Sequence, residues 1–105
     1  MDLAVAAYRV TDKLPPSEPF GLTFQSRKAA VSVPSNIAEG HGRGTPKAMS
    51  NFVRIASGST SELETQLLLA ERLGFLSSSD VAPVLGTADE VGRLLTGLRR
   101  SLDRK

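Results

Sequence analysis

Two polar side chains in the sequence stand where apolar ones are due. Glu62 and Gln66 fall inside the repeat Phe52, Ile55, Ser59, Glu62, Gln66, Leu69, Leu73, and steps of three and four put all seven on one side of a helix. A carboxylate and an amide placed so need partners, because a buried polar group left unsatisfied costs about 1–3 kcal/mol. Arg27 or Arg43 could supply the opposing charge, with Ser35, Asn36 and Glu39 completing the set. The spacing therefore predicts a buried polar network of Ser35, Asn36, Glu39, Glu62 and Gln66 that is structural rather than catalytic. Glu62 and Glu64 point to different sides of their helix and make no acid–base pair in one groove.

The other chemistry-bearing residues exclude more than they support. Carboxylates in a helical bundle suggest a di-iron centre, which takes Glu from two helices and Glu-x-x-His from two others. His41 is the sole histidine, so that ligand set cannot be filled. The same shortage argues against a serine hydrolase, and no nucleophile elbow precedes any serine. There are no cysteines, which removes disulfides, thiolate metal sites and thiol nucleophiles. Gly40-His41-Gly42-Arg43-Gly44-Thr45 resembles a phosphate cradle but lacks the Gly-Lys-Ser/Thr ending. Its backbone donors and Arg43, beside a helix start, could hold a phosphate weakly; a plain helix–helix turn is the simpler reading. The residues thus predict no enzyme, no cofactor, no metal and no small-molecule substrate.

Charge distribution points to partners instead. Thirteen Lys and Arg against eleven Asp and Glu leave a net charge of +2, which decides little. From Gln25 to Ala56, however, Arg27, Lys28, Arg43, Lys47 and Arg54 face Glu39 alone. From Arg93 onward, Arg93, Arg99, Arg100, Arg104 and Lys105 face only Asp103. Such stretches attract nucleic acid or an acidic protein, or are simply solvated helix faces. The expected contact residues are Arg27, Lys28, Arg43, Lys47 and Arg54.

Stepping along the chain, 105 residues make one domain, 1–105, with 40% apolar and 23% charged residues. Absence of a long apolar run or a signal-like N-terminus predicts a cytoplasmic protein with no membrane partner. Punctuation divides it into helices at about 2–13, 18–40, 46–73 and 80–102. Pro15-Pro16 closes the first, Ser17 caps the second, and Pro34 kinks that helix without breaking it. Gly40, Gly42 and Gly44 open a loop, Thr45-Pro46 starts the third helix, and Gly74 ends it with Phe75 as hydrophobic contact. The last helix carries the seam Val81, Val84, Ala88, Val91, Leu95, Leu98 and Leu102. The fold class is therefore all-α, an antiparallel up-down-up-down four-helix bundle.

Helix three has a second seam, Met49, Val53, Ala56, Thr60, Leu63, Leu67 and Ala70. Leu67 and Leu69 point about 200° apart and cannot share one core. Leu68 lies between them, so the helix is apolar nearly all round there, and the bundle is expected to be oligomeric with Leu68 and Leu69 at the interface. Ser57-Gly58-Ser59-Thr60-Ser61 is poor helix-forming material, yet the periodicity runs through it, so tertiary packing is expected to hold it helical.

The run Val33-Pro34-Ser35-Asn36-Ile37-Ala38-Glu39-Gly40-His41-Gly42-Arg43 resembles the signature of bacterial four-helix-bundle proteins encoded in intervening sequences of large-subunit (23S) ribosomal RNA genes. Ile55-Ala56, Gly58-Ser59, Glu62-Leu63-Glu64-Thr65-Gln66-Leu67, Ala70 and Leu73-Gly74 match that family's third helix in order and spacing. The resemblance implies a homopentamer with a central channel. It also implies kinship with accessory proteins of diversity-generating retroelements, whose basic pentamers bind a reverse transcriptase and nucleic acid. On this basis the expected function is non-enzymatic, a self-assembling protein that binds RNA, DNA or a reverse-transcriptase-like protein. The alternative is an assembly or scaffold module with no nucleic-acid role.

Overall fold

The computed structural model describes residues 1–18 and 20–104 of the chain. Four helices follow in order: α1 (Asp2–Thr11), α2 (Leu22–Arg43), α3 (Pro46–Arg72) and α4 (Ser78–Asp103). Each packs on its two neighbours in the ring α1–α2–α3–α4, and the diagonal helices meet only through side chains in the core. This is the up-down-up-down bundle that the short links predict.

α3 is the spine. Val53, Ala56, Leu63 and Leu67 have no exposed surface, and Thr60 and Ala70 have almost none. Burial of each leucine contributes about 1.5–3 kcal/mol, and Thr60 satisfies its hydroxyl on the carbonyl of Ala56 at 2.9 Å. The helix runs unbroken through Ser57–Ser61. Packing overrides propensity there, since Ser59 meets Ser32 of α2 and Thr60 enters the core.

α1 has only ten residues against 26 in α4. At its level Leu3, Ala7, Val10 and Leu14 close a core with Leu63, Leu67, Val81 and Val84. Below it only three helices remain, and the core thins to Val33, Val53, Ala56 and Leu95. The predicted α4 seam therefore fades along its length: Val81, Val84, Ala88 and Leu95 are buried, whereas Leu98 is 37% exposed.

The ends differ from expectation where side chains do the capping. α2 begins at Leu22 rather than residue 18, and Ser17 does not cap it. Pro19, inside the predicted span, lies outside the described residues. Gly21 takes the left-handed cap conformation at φ 65°, and the Glu18 carboxylate accepts from the N–H groups of Phe20 and Leu22. α1 stops at Thr11, two residues early, with Leu14 still buried by the turn that follows. At its far end α2 continues through Gly40 and Gly42, and the turn opens only at Gly44, φ 80°. Gly40 is buried because α3 crosses it: a Cβ there would lie 2.9 Å from Met49 Sδ and Phe52 Cβ. α2 also stays helical through Pro34.

α3 ends at Arg72 with Leu73 as its cap and Gly74, φ 82°, just beyond; Phe75 then packs half-buried against the core, as expected, and Leu76 is buried beside it. α4 opens with a capping box: Ser77 Oγ accepts from Asp80 N–H and Asp80 Oδ2 accepts from Ser77 N–H. Lys13 Nζ donates to Asp80 Oδ1 at 2.7 Å. That bond, followed by the two to Ser77, holds the Asp80 pKa at about 2.

Two helical glycines should respond in opposite directions. Gly40→Ala forces the α2–α3 crossing apart and should cost about 1–3 kcal/mol. Gly58 faces open space, so Gly58→Ala should stabilise by about 0.5–1 kcal/mol. Urea titration of both variants checks this. For Asp80, a folded pKa below the unfolded value of about 4 means stabilisation present above about pH 4 and lost as pH falls toward about 2. Asp80→Asn should accordingly melt below the parent protein at neutral pH, and the gap in Tm should close across that acid window.

Candidate functional site

No single enclosed cleft gathers the candidate residues; they sit on three parts of the surface. Arg27 is an anchor, not a free cation. Its side chain is only 28% exposed and pairs with Asp12 at 2.5 Å. Nε donates to Thr11 Oγ1 at 2.9 Å, and the guanidinium lies 4.6 Å from the centroid of the Tyr8 ring. It ties α1 to α2. Lys28, one residue on, is exposed and has no anionic partner among the described residues.

Arg43, Lys47 and Arg54 lie at the opposite end of the bundle. Arg43 pairs with Glu39 one turn back, at 2.9 Å, and stacks over Phe52 with its centre 5.3 Å from the ring. Lys47 is exposed at the start of α3 and lines an open hollow of about 620 Å³ with Thr45, Ser50, Asn51, Arg54 and Asp103. Arg54 reaches Asp103 at only 3.9 Å, and Ser50 Oγ donates to the same carboxylate. These contacts bring the end of α4 beside the start of α3. Arg100 and Arg104 thereby join Arg43, Lys47 and Arg54 at one end, where Glu39 and Asp103 are the acids. Parts of the two basic stretches, far apart in sequence, thus come to one end, while Arg27 and Lys28 lie at the other; Lys105 lies outside the described residues. The antiparallel topology was the signal that could have revealed this, because it sets residue 50 beside residue 103.

The phosphate-cradle reading of Gly40–Thr45 fails. Gly40 and Gly42 are inside α2, with their backbone bonded in the helix, and His41 is exposed on its last turn. At α3 the Thr45 hydroxyl already accepts the Ala48 N–H at 3.1 Å, and Pro46 has none to offer.

The predicted polar network separates into pieces. Ser35, Glu39 and Glu62 are exposed, and neither Arg27 nor Arg43 approaches Glu62. The reason is that helix spacing fixes a side but not which neighbour covers it: this side of α3 faces outward past α2. What bridges the two helices is a smaller set of which spacing named only Asn36: Ser32 Oγ to Ser59 Oγ at 2.8 Å, with Asn36 Nδ2 donating to Ser32 at 2.9 Å. Gln66 Nε2 donates to Glu62 at 3.2 Å, while Gln66 Oε1 is shut off from water and has no donor. Such an orphaned acceptor costs about 1–3 kcal/mol. Leu68 and Leu69 are both exposed, about 100° apart on the helix, so only Leu69 continues the stripe of Ile55, Glu62, Gln66 and Leu73. Leu68 faces the α4 side.

Among the described residues no helix is long and apolar enough to cross a membrane. The family described as 23S rRNA-intervening sequence protein matches residues 1–97. No curated protein matches the chain.

Neighbouring cations on α2 should separate cleanly by mutation. Arg27→Ala loses the α1–α2 tie and should cost about 1–3 kcal/mol, whereas Lys28→Ala should stay within about 0.5 kcal/mol. Chemical denaturation of the two variants makes the comparison.

Proposed function

The chain belongs to the 23S rRNA-intervening sequence protein family, and from that premise we propose that it is a non-enzymatic, cytoplasmic homopentamer that binds nucleic acid, or an enzyme acting on nucleic acid, through the cationic end of its bundle. The observation that carries this reading is the convergence of Arg43, Lys47, Arg54, Arg100 and Arg104 at one end of a protein 46 Å long. Phosphate groups neutralised by such a cluster release counterions, and that release is the main source of sequence-independent affinity. Arg43 and Arg54 each have a carboxylate nearby, but both are more than half exposed, and a surface pair of this kind is worth little. A polyanion can exchange for the carboxylate at small cost.

Assembly finds support in the apolar stripe of α3 that the protomer leaves uncovered. The count of five, and the kinship with retroelement accessory proteins, rest on the family resemblance. Arg27 is withdrawn from the binding set because its hydrogen bonds are committed to α1. The competing reading is an assembly module with no nucleic-acid role. It draws on the same pairing of cations with carboxylates, seen at Arg27 and Arg43.

Fluorescence anisotropy with labelled single-stranded RNA across a salt series separates the two. The expected result is a linear fall of log affinity with log salt concentration, with Lys47→Ala and Arg54→Ala each reducing the slope by about 0.7 on any sequence. Absence of binding at low salt, or a slope unmoved in both variants, would leave only the assembly module.

A further inference from the structure

Two adjacent faces of the bundle each carry a set of exposed apolar side chains, besides Leu68, Leu94 and Leu98 on and beside α4. Between α1 and α2, Tyr8, Phe24 and Val31 are exposed, Phe24 to 67%, and border a shallow depression of about 690 Å³ with Arg27 and Lys28 at its edge. On the neighbouring face, α3 presents Ile55, Leu69 and Leu73 past α2. Lone exposed leucines need no explanation. Here each face also carries a group that lacks its complement. Lys28 has no carboxylate among the described residues, Glu62 has no cation, and Gln66 Oε1 is buried without a donor.

Level along the bundle ties these groups together. The Ser32–Ser59 contact fixes the register of α2 against α3. Lys28 stands one turn beyond Ser32, and Glu62 about one turn beyond Ser59. Because the helices are antiparallel, both steps lead toward the same end. The ammonium and the carboxylate therefore share one level on adjacent faces.

We propose that copies of this chain join head to tail, the α1–α2 face of one against the α2–α3 face of the next, about an axis parallel to the helices. Rotation about such an axis keeps every residue at its level. Lys28 of one copy then meets Glu62 of the next, and Phe24 and Val31 cover the stripe around Gln66 and Leu69. The occupant is a second copy because each face supplies what the other is missing, a cation and aromatic cover for a carboxylate and leucines. The two faces differ, so the contact is heterologous and closes a ring instead of a dimer. The same symmetry sets all the cationic ends on one rim. The face assignment rests on the assembly reading and goes beyond it.

The chain has no cysteine, so single cysteines report contacts without background. Phe24→Cys and Leu69→Cys, both at exposed positions, are expressed separately and together, then mildly oxidised. The co-expressed pair should give a disulfide-linked dimer containing one copy of each variant, while the separate preparations stay unlinked. Homodimers in either separate preparation would mean like-face pairing and overturn the proposal. So would an unlinked co-expressed pair that still sediments as an assembly. If a cysteine disperses the assembly, charge reversal decides: Lys28→Glu and Glu62→Lys should each disperse it and together restore it, and failure to restore counts against the pairing. An unaltered chain that is monomeric defeats the assembly reading itself, a separate outcome.

Discussion

Everything in this bundle hangs on how α3 divides its apolar surface. One seam, Val53, Ala56, Thr60, Leu63, Leu67 and Ala70, is buried along the whole helix and joins both halves of the core. A helix buries a stripe, not its full circumference, so the remaining leucines and Ile55 are left outside. Within the protomer α2 and α4 flank the buried seam and α1 meets α3 only inside the core, so none of the described helices lies over that outer surface. The surplus is a consequence of sequence, fixed once the first seam is chosen.

Among the described residues, four helices surround the upper core around Leu63 and Leu67, and three surround the lower one around Val53 and Leu95. In the lower half the α2–α3 crossing is tight at Gly40, where backbone approaches Met49 and Phe52. That same crossing carries the Arg43–Phe52 stack and leads directly into the turn whose far side bears Lys47. Close packing at the lower end and concentration of positive charge there are thus parts of one arrangement. At the upper end, Asp80, Glu18 and Asp12 carry local structural duties in caps and ties. The molecule is consequently polarised along its length, and a ring built on parallel axes would sum that polarity on one rim.

Much of the fold was legible because the helix boundaries are written in local chemistry. Thr45-Pro46 and Gly74 did mark the ends of α3, and the first seam of α3 did name its core. What failed did so for physical reasons. The start of α2 was misplaced because its cap comes from the Glu18 carboxylate across the intervening turn, not from the serine before it. Gly40 and Gly42 read as loop because their role is close approach by another helix, which no local rule reveals. Ser35, Glu39, Glu62 and Gln66 read as a network because periodicity gives a side without saying what lies against it. Among the five basic residues expected as contacts, spacing could not tell Arg27, spent on holding α1, from Lys28, which is free among the described residues.

The central claim is that the uncovered stripe of α3 is shielded by identical copies. Sedimentation equilibrium of the unaltered protein over a wide concentration range tests it most directly. A mass that stays at a fixed multiple of the protomer on dilution is the predicted result. A mass equal to one protomer at every concentration would contradict it.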